Sequence, residues 1–160
     1  MILDVLTDDP HWFDWSSAQL ADYAQTGTLH INPIIYAEVS IGFKDVTEVE
    51  SVLSYSFFQR DALPYEAAFL AGQAFLQYRR RGGVRRSPLP DFYIGAHAKV
   101  CGYTLLTRDA TRYQTYFPEL ILISPTELDS NPQDILTLLP VLELRTKPEV
   151  RWRVDRFYKY

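Results

Sequence analysis

The stretch "SPLPDFYIGAHAKVCGYTLLTRDATRY", residues 87–113, decides how the fold is read. Pro90 sits where a first helical residue belongs and Gly102 where a helix stops, so the spacing predicts a helix from Pro90 to Gly102. On such a helix positions 91, 94, 95, 98 and 101 share one face. That face carries Asp91, Ile94, Gly95, Ala98 and Cys101. Apart from the aspartate it is small or apolar, so it should pack, with Cys101 expected in the core. Asp91 then lies at the core's edge in the first turn, where the helix dipole favours negative charge. "YTLLT", residues 103–107, reads as a buried strand, and Asp109 follows directly after it. In open parallel sheets the carboxyl ends of strands line the ligand crevice.

Working outward, the same alternation recurs. "DDPHWFDWSSAQLADYAQTG" (8–27) reads as a helix with Asp9 as cap, Pro10 in its first turn and Gly27 at its end. "TLHI" (28–31) is a short strand, and "NPIIYAEVSIGF" (32–43) a helix capped by Asn32. "TEVESVLSYSF" (47–57) opens on a capping box, Thr47 to Glu50. "PYEAAFLAGQAFLQYRRRGG" (64–83) is the clearest helix, and "LILIS" (120–124) another buried strand. Strands alternating with helices imply an α/β fold, a mostly parallel central sheet flanked by helices. Past Pro125 the pattern changes. The expected division is a domain over 1–125 and a C-terminal appendage over 126–160, whose end from residue 145 holds six basic residues against two acidic.

Composition narrows the class. The chain has 160 residues, 47% hydrophobic and 22% charged, enough for one domain with a core of normal size. Its net charge of -4 argues against a general nucleic-acid coat, so any such contact needs a local patch. A single cysteine, Cys101, permits no internal disulfide and suits a reducing, cytoplasmic setting. There is no run of about eighteen apolar residues and no signal-peptide pattern, so no membrane partner is expected.

A third carboxylate joins the two above. Glu38 lies four after Ile34 and three before Ile41, interrupting an apolar stripe. A glutamate on a packed face is costly unless paired or bound to a cation. Three carboxylates at one rim repel one another, and Mg²⁺ or Mn²⁺ relieves this, since hard cations take oxygen ligands. Plainer readings stand beside this one: Asp91 as a helix-start residue, Asp109 as the cap of a helix over 110–117, Glu38 as an arginine's partner. His11, His30 and His97 are scattered, with no zinc-ligand spacing. "RRRGGVRR" supplies Arg79, Arg80, Arg81, Arg85 and Arg86, either a solvated helix end or a phosphate-binding patch.

With these residues placed, the sequence resembles the PIN-domain ribonucleases, specifically the VapC toxins of toxin–antitoxin pairs. The matching segments are "DVLTDDPHWFDWS", "INPIIYAEVSIGF", "LPYEAAFLAGQAFLQYRRRGG" and "SPLPDFYIGAHAKVCGYTLLTRDATRYQTYFPEL", across residues 4–125. The resemblance implies a three-layer PIN-like sandwich and a Mg²⁺- or Mn²⁺-dependent endoribonuclease. It also implies a cytoplasmic homodimer held in check by a VapB-type antitoxin. It carries catalytic and metal-site roles onto Glu38, Asp91 and Asp109. Family members open on a pattern like "DTNVLLDVL". Aligned on "DVLT", Asp4 falls on its second aspartate, so the first strand and first metal-binding aspartate are expected to be missing, with Asp4 the alternative ligand. That departure raises a second reading, a PIN-like domain that binds antitoxin or RNA without cleavage. A phospho-acceptor receiver domain, suggested by Asp8 and Asp9, is a third; it lacks the lysine expected near "LILIS".

Overall fold

The structure, a computed structural model, describes residues 1–126. The expected appendage over 126–160 lies, from residue 127 on, outside the described residues. The described chain forms a mixed α/β fold whose residues fall into two compact units, one ending at Asp22 and the other spanning Tyr23–Ser124.

In the first unit, α1 is a short helix, Ile2–Leu6. Residues 8–12 form turns in which Asp9 Oδ1 accepts the amides of His11 and Trp12, both at 3.0 Å. Helix α2, Phe13–Thr26, therefore starts three residues later than Pro10 suggested.

The second unit holds the alternating elements. Strand β1, Leu29–Ile31, leads into α3, Pro33–Ser40. Asn32 caps α3 as expected, its Oδ1 taking the amides of Ile34 and Ile35 at 3.0 Å each. Helix α4, Val46–Val52, is capped by Asp45, which accepts from Thr47 and Glu48, and not by the expected Thr47–Glu50 box. It ends before "SYSF", because β2, Phe58–Arg60, claims the following segment. β2 pairs parallel with β1, Leu29 opposite Phe58 and Ile31 opposite Arg60. Helix α5, Tyr65–Arg80, crosses to α6, Pro90–Cys101. Strand β3, Leu105–Leu106, and β4, Leu122–Ile123, form a second parallel pair, joined through α7, Thr111–Tyr116. Each pair needs a helical crossover because parallel strands cannot be joined by a tight turn.

Helix α6 is the hub. Ala67, Ala71 and Ala74 recur on one face of α5, and these small side chains let it lie close against Phe92 and Ala96 of α6. Tyr113 and Phe117 close the same core from the α7 side. The α6 helix stops at Gly102, which adopts φ 68°, the left-handed cap that glycine takes without Cβ strain. The expected inner face is buried at Ile94, Gly95 and Ala98, but Cys101 is exposed. It sits in the last turn of α6. Among the described residues, no helix is long and apolar enough to cross a membrane.

Candidate carboxylate site at Tyr113

Each of the three carboxylates is positioned by a different element of the second unit. The first turn of α6 carries Asp91. Its Oδ2 accepts from Arg112 Nη1, and its Oδ1 accepts from the Tyr113 hydroxyl at 3.3 Å. Asp109 follows β3 and stands one residue before the N-cap of α7, which is Ala110 and not the expected Asp109; its Oδ1 accepts the Thr111 amide at 3.1 Å. Thr107 donates to the Asp109 carbonyl at 3.2 Å and so fixes this turn's backbone. Glu38 projects from α3, half-buried, and burial raises its pKa above the ordinary glutamate value.

Of the three, Asp91 is the one that Tyr113 hydrogen-bonds. Tyr113 is 6% exposed, and burial raises its hydroxyl pKa well above the ordinary value. The charges of Glu38 and Asp109 push in the same direction, while Arg112 opposes them. One phenol thus hydrogen-bonds Asp91 and feels the fields of Glu38 and Asp109. It keeps its proton through the working pH range and serves as a fixed donor.

The donor chemistry, carboxylate oxygens at an electronegative spot, fits a hard divalent cation. The positions are those of a site already balanced by an arginine: among the described residues, no three His, Cys, Asp or Glu side chains are set to grip one ion. Asp4 belongs to the first unit. It is 5% exposed, and its Oδ2 takes the Ser16 hydroxyl at 2.8 Å and the Met1 amino group at 2.9 Å.

The five arginines divide by environment. Arg79 donates to the carbonyls of Gly83 and Arg85, tying the loop after α5. Arg81 lies 5.4 Å from the centre of the Tyr116 ring. All five are exposed, so contacts and not burial set Arg79 and Arg81 apart from Arg80, Arg85 and Arg86.

A second polar cluster, unread in the sequence, lies between β1 and the end of α6. His30 Nδ1 meets Asp61 Oδ2 at 2.7 Å, and the Tyr103 hydroxyl donates to the same oxygen at 3.0 Å. The His30 and Tyr103 rings stack with centroids 4.5 Å apart, and His97 meets Tyr103 edge-on at 5.8 Å. Asp61 also borders a cleft of about 290 Å³ with Asn32, Tyr36, Glu50 and Arg60. Arg60 is held there by both oxygens of Glu50, at 3.0 and 2.7 Å. No sequence spacing links His30, Asp61 and His97, which lie 31 to 67 positions apart.

Among solved structures, the chain is similar to one in the crystal structure of VapBC2 from Rickettsia felis bound to a DNA fragment from their promoter. The TM-score is 0.57 at 21% identity, covering 77% of this chain and 92% of that one. The likeness is one of fold. No protein-family model matches the sequence, and no curated protein does.

Proposed function

We propose that this chain is a VapC-type, PIN-like protein of a toxin–antitoxin pair, built as a Mg²⁺- or Mn²⁺-dependent endoribonuclease. The observation that carries the reading is Asp91 at the start of α6, accepting from the buried Tyr113 hydroxyl, whose pKa the charges of Glu38 and Asp109 also raise. The similarity of fold to a VapBC2 chain supports it. This reading takes the architecture as a three-layer sandwich and the working form as a cytoplasmic homodimer with a VapB-type antitoxin.

When bound, Mg²⁺ or Mn²⁺ supplies Lewis acidity toward a phosphodiester. Glu38, Asp91 and Asp109 would hold it through carboxylate oxygens. Tyr113 fixes the rotation of Asp91 by donating to Oδ1. Half-burial of Glu38 raises its proton affinity, a desolvation cost that a bound cation would offset. Arg80, Arg85 and Arg86 offer exposed positive charge to the RNA backbone.

The binding-only reading keeps a specific observation in its favour: Arg112 is paired with Asp91, and among the described residues no three-ligand set is assembled. One assay separates the two. Labelled single-stranded RNA is incubated with the full chain, with and without Mn²⁺, beside Asp91→Asn. The nuclease reading expects Mn²⁺-dependent cleavage that falls at least roughly 100-fold in the variant, since slight displacement of reacting groups costs that much. RNA binding without cleavage in either chain would establish the alternative.

A further inference from the structure

We propose that the outward face of α5 docks a second copy of this chain, the two α5 helices lying antiparallel about a twofold axis beside Gly72 and Gln73. The inference rests on the reading above only for its homodimer and takes nothing from the nuclease chemistry.

Helix α5 is apolar on two opposite sides. Ala67, Ala71 and Ala74 are buried against α6. Across the helix from them, at the 3.6-residue period, stand Tyr65, Phe69 and Leu76, which are 92%, 65% and 42% exposed. A helix with one packed face carries polar residues there. Two rings and a leucine in a row along a 16-residue helix form instead a surface for a partner. Gly72 lies beside that row. Glycine inside a helix costs stability relative to alanine. A Cβ built at Gly72 meets nothing within 4 Å, so packing among the described residues does not require the gap. A helix crossing there does, since the missing side chain lets two backbones approach.

The row is complementary to itself. Phe69 and Leu76 are equally far along the helix from the point between Gly72 and Gln73, and so are Tyr65 and Arg80. In an antiparallel pair Phe69 therefore meets Leu76 of the second copy, and the Tyr65 ring meets the Arg80 guanidinium. Charge agrees with that direction. The first turn of α5 holds Glu66 and the last turn Arg79 and Arg80. Antiparallel docking sets each acidic end beside a basic one and opposes the helix dipoles, whereas parallel docking sets like beside like. Exposed ion pairs add little strength, so charge fixes direction and the apolar row supplies affinity. A contact of this kind uses the same patch on both copies and closes at two.

The test uses the full chain. Analytical ultracentrifugation at micromolar concentrations should show a dimer for the parent. Phe69→Arg enters the interface twice and should weaken it at least roughly tenfold. Melting curves check that this variant folds, as an exposed site allows. Glu66→Lys makes both ends of the helix basic, so added salt should tighten its dimer while loosening the parent's. A second readout leaves the apolar row intact. With the single cysteine removed as Cys101→Ser, Gln73→Cys lies next to the axis and should be joined to its own copy by a short bismaleimide. Tyr65→Cys lies roughly 22 Å along the helix from its own copy and should not be joined. If Phe69→Arg fails to fold, the cross-links decide. A monomeric parent overturns this surface and the homodimer together and leaves the nuclease reading to the RNA assay. A parent dimer that a folded Phe69→Arg leaves unmoved, or cross-linking at 65 in place of 73, overturns the surface alone.

Discussion

The side-chain amide of Asn32 is fixed at both ends. Its Oδ1 accepts the two amides that open α3, so the group facing His97 Nδ1, at 3.1 Å, is the NH₂ donor. His97 Nδ1 must then be the acceptor, and the imidazole is neutral with its proton on Nε2. Burial agrees, because it lowers the His97 pKa below the ordinary histidine value. Nearby Asp61 opposes that shift and His30 reinforces it; Tyr103 lies edge-on to the ring and Asn32 is its bonded neighbour. A proton here costs the fold twice, through a buried charge and a lost acceptor. With the folded pKa depressed, the unfolded chain binds the proton more readily. The contribution is therefore complete above the unfolded value of about 6.5 and is lost as pH falls through the folded value. Urea midpoints between pH 7.5 and 5 should fall more steeply for the parent than for His97→Gln, and parallel curves would show that His97 does not titrate in the fold. The difference between the two chains separates His97 from His30 and Asp61. None of this could be read from spacing. The sequence marks Asn32 as a cap, but its second bond reaches 65 positions along the chain.

At the scale of elements, the carboxylate site depends on how closely α7 lies on α6. Gly95 sets that distance. A Cβ built there would stand 2.7 Å from two ring carbons of Phe117 and 3.0 Å from Tyr113 Cδ1. Alanine would gain about 1 kcal/mol in helix propensity. Overpacking against rings that are 4% and 6% exposed costs about 1–3 kcal/mol and wins, because neither ring has space to retreat into. Gly95→Ala should thus destabilise the fold by on the order of 1 kcal/mol in urea unfolding, and it should blunt any Mn²⁺-induced rise in Tm by shifting Tyr113. A more stable variant would mean that α7 rides loosely. The same contact explains what the sequence could and could not reveal. Asp91 and Asp109 were legible because each follows a local rule, a helix start and a strand end. Arg112 and Tyr113 were missed because they reach Asp91 only through packing of α7 on α6, 21 and 22 positions away. Local chemistry likewise marked Asn32–Pro33, Pro90 and Gly102 as helix boundaries. Strand β2 was hidden, since "FQR" at 58–60 is short, ends on two polar residues and has its parallel partner 29 positions earlier. Cys101 satisfied the helical period yet is exposed at the end of α6, because period alone does not say how far along a helix its packing partners reach.

For the whole molecule, electrostatics decides whether RNA binds at all. The chain carries -4, so long-range attraction is absent and a polyanion must be held by a local patch. The arginines after α5 are not equivalent members of that patch. Arg79 is committed to two backbone carbonyls, at 2.9 and 3.0 Å, and Arg81 lies against the Tyr116 ring. Their loss would disturb the loop and confuse a binding measurement with a folding one. All five are exposed, and Arg80, Arg85 and Arg86 are those whose loss leaves these contacts intact, able to exchange condensed counterions for phosphate. On single-stranded RNA each phosphate neutralised contributes about 0.7 to the slope of log K against log salt, so replacing these three by Gln should flatten that slope by about 2. The substitution should leave Tm unchanged to within about 2 °C, as exposed side chains away from the core rarely move stability by more than about 0.5 kcal/mol. Arg79→Gln should behave in the opposite sense, with a lower Tm and a smaller change in slope. The comparison is made by titrating labelled RNA at several salt concentrations with Asp91→Asn in every chain, so that cleavage cannot consume the probe. A slope that survives the triple substitution would assign RNA contact to some other surface and leave the arginines as the solvated end of α5.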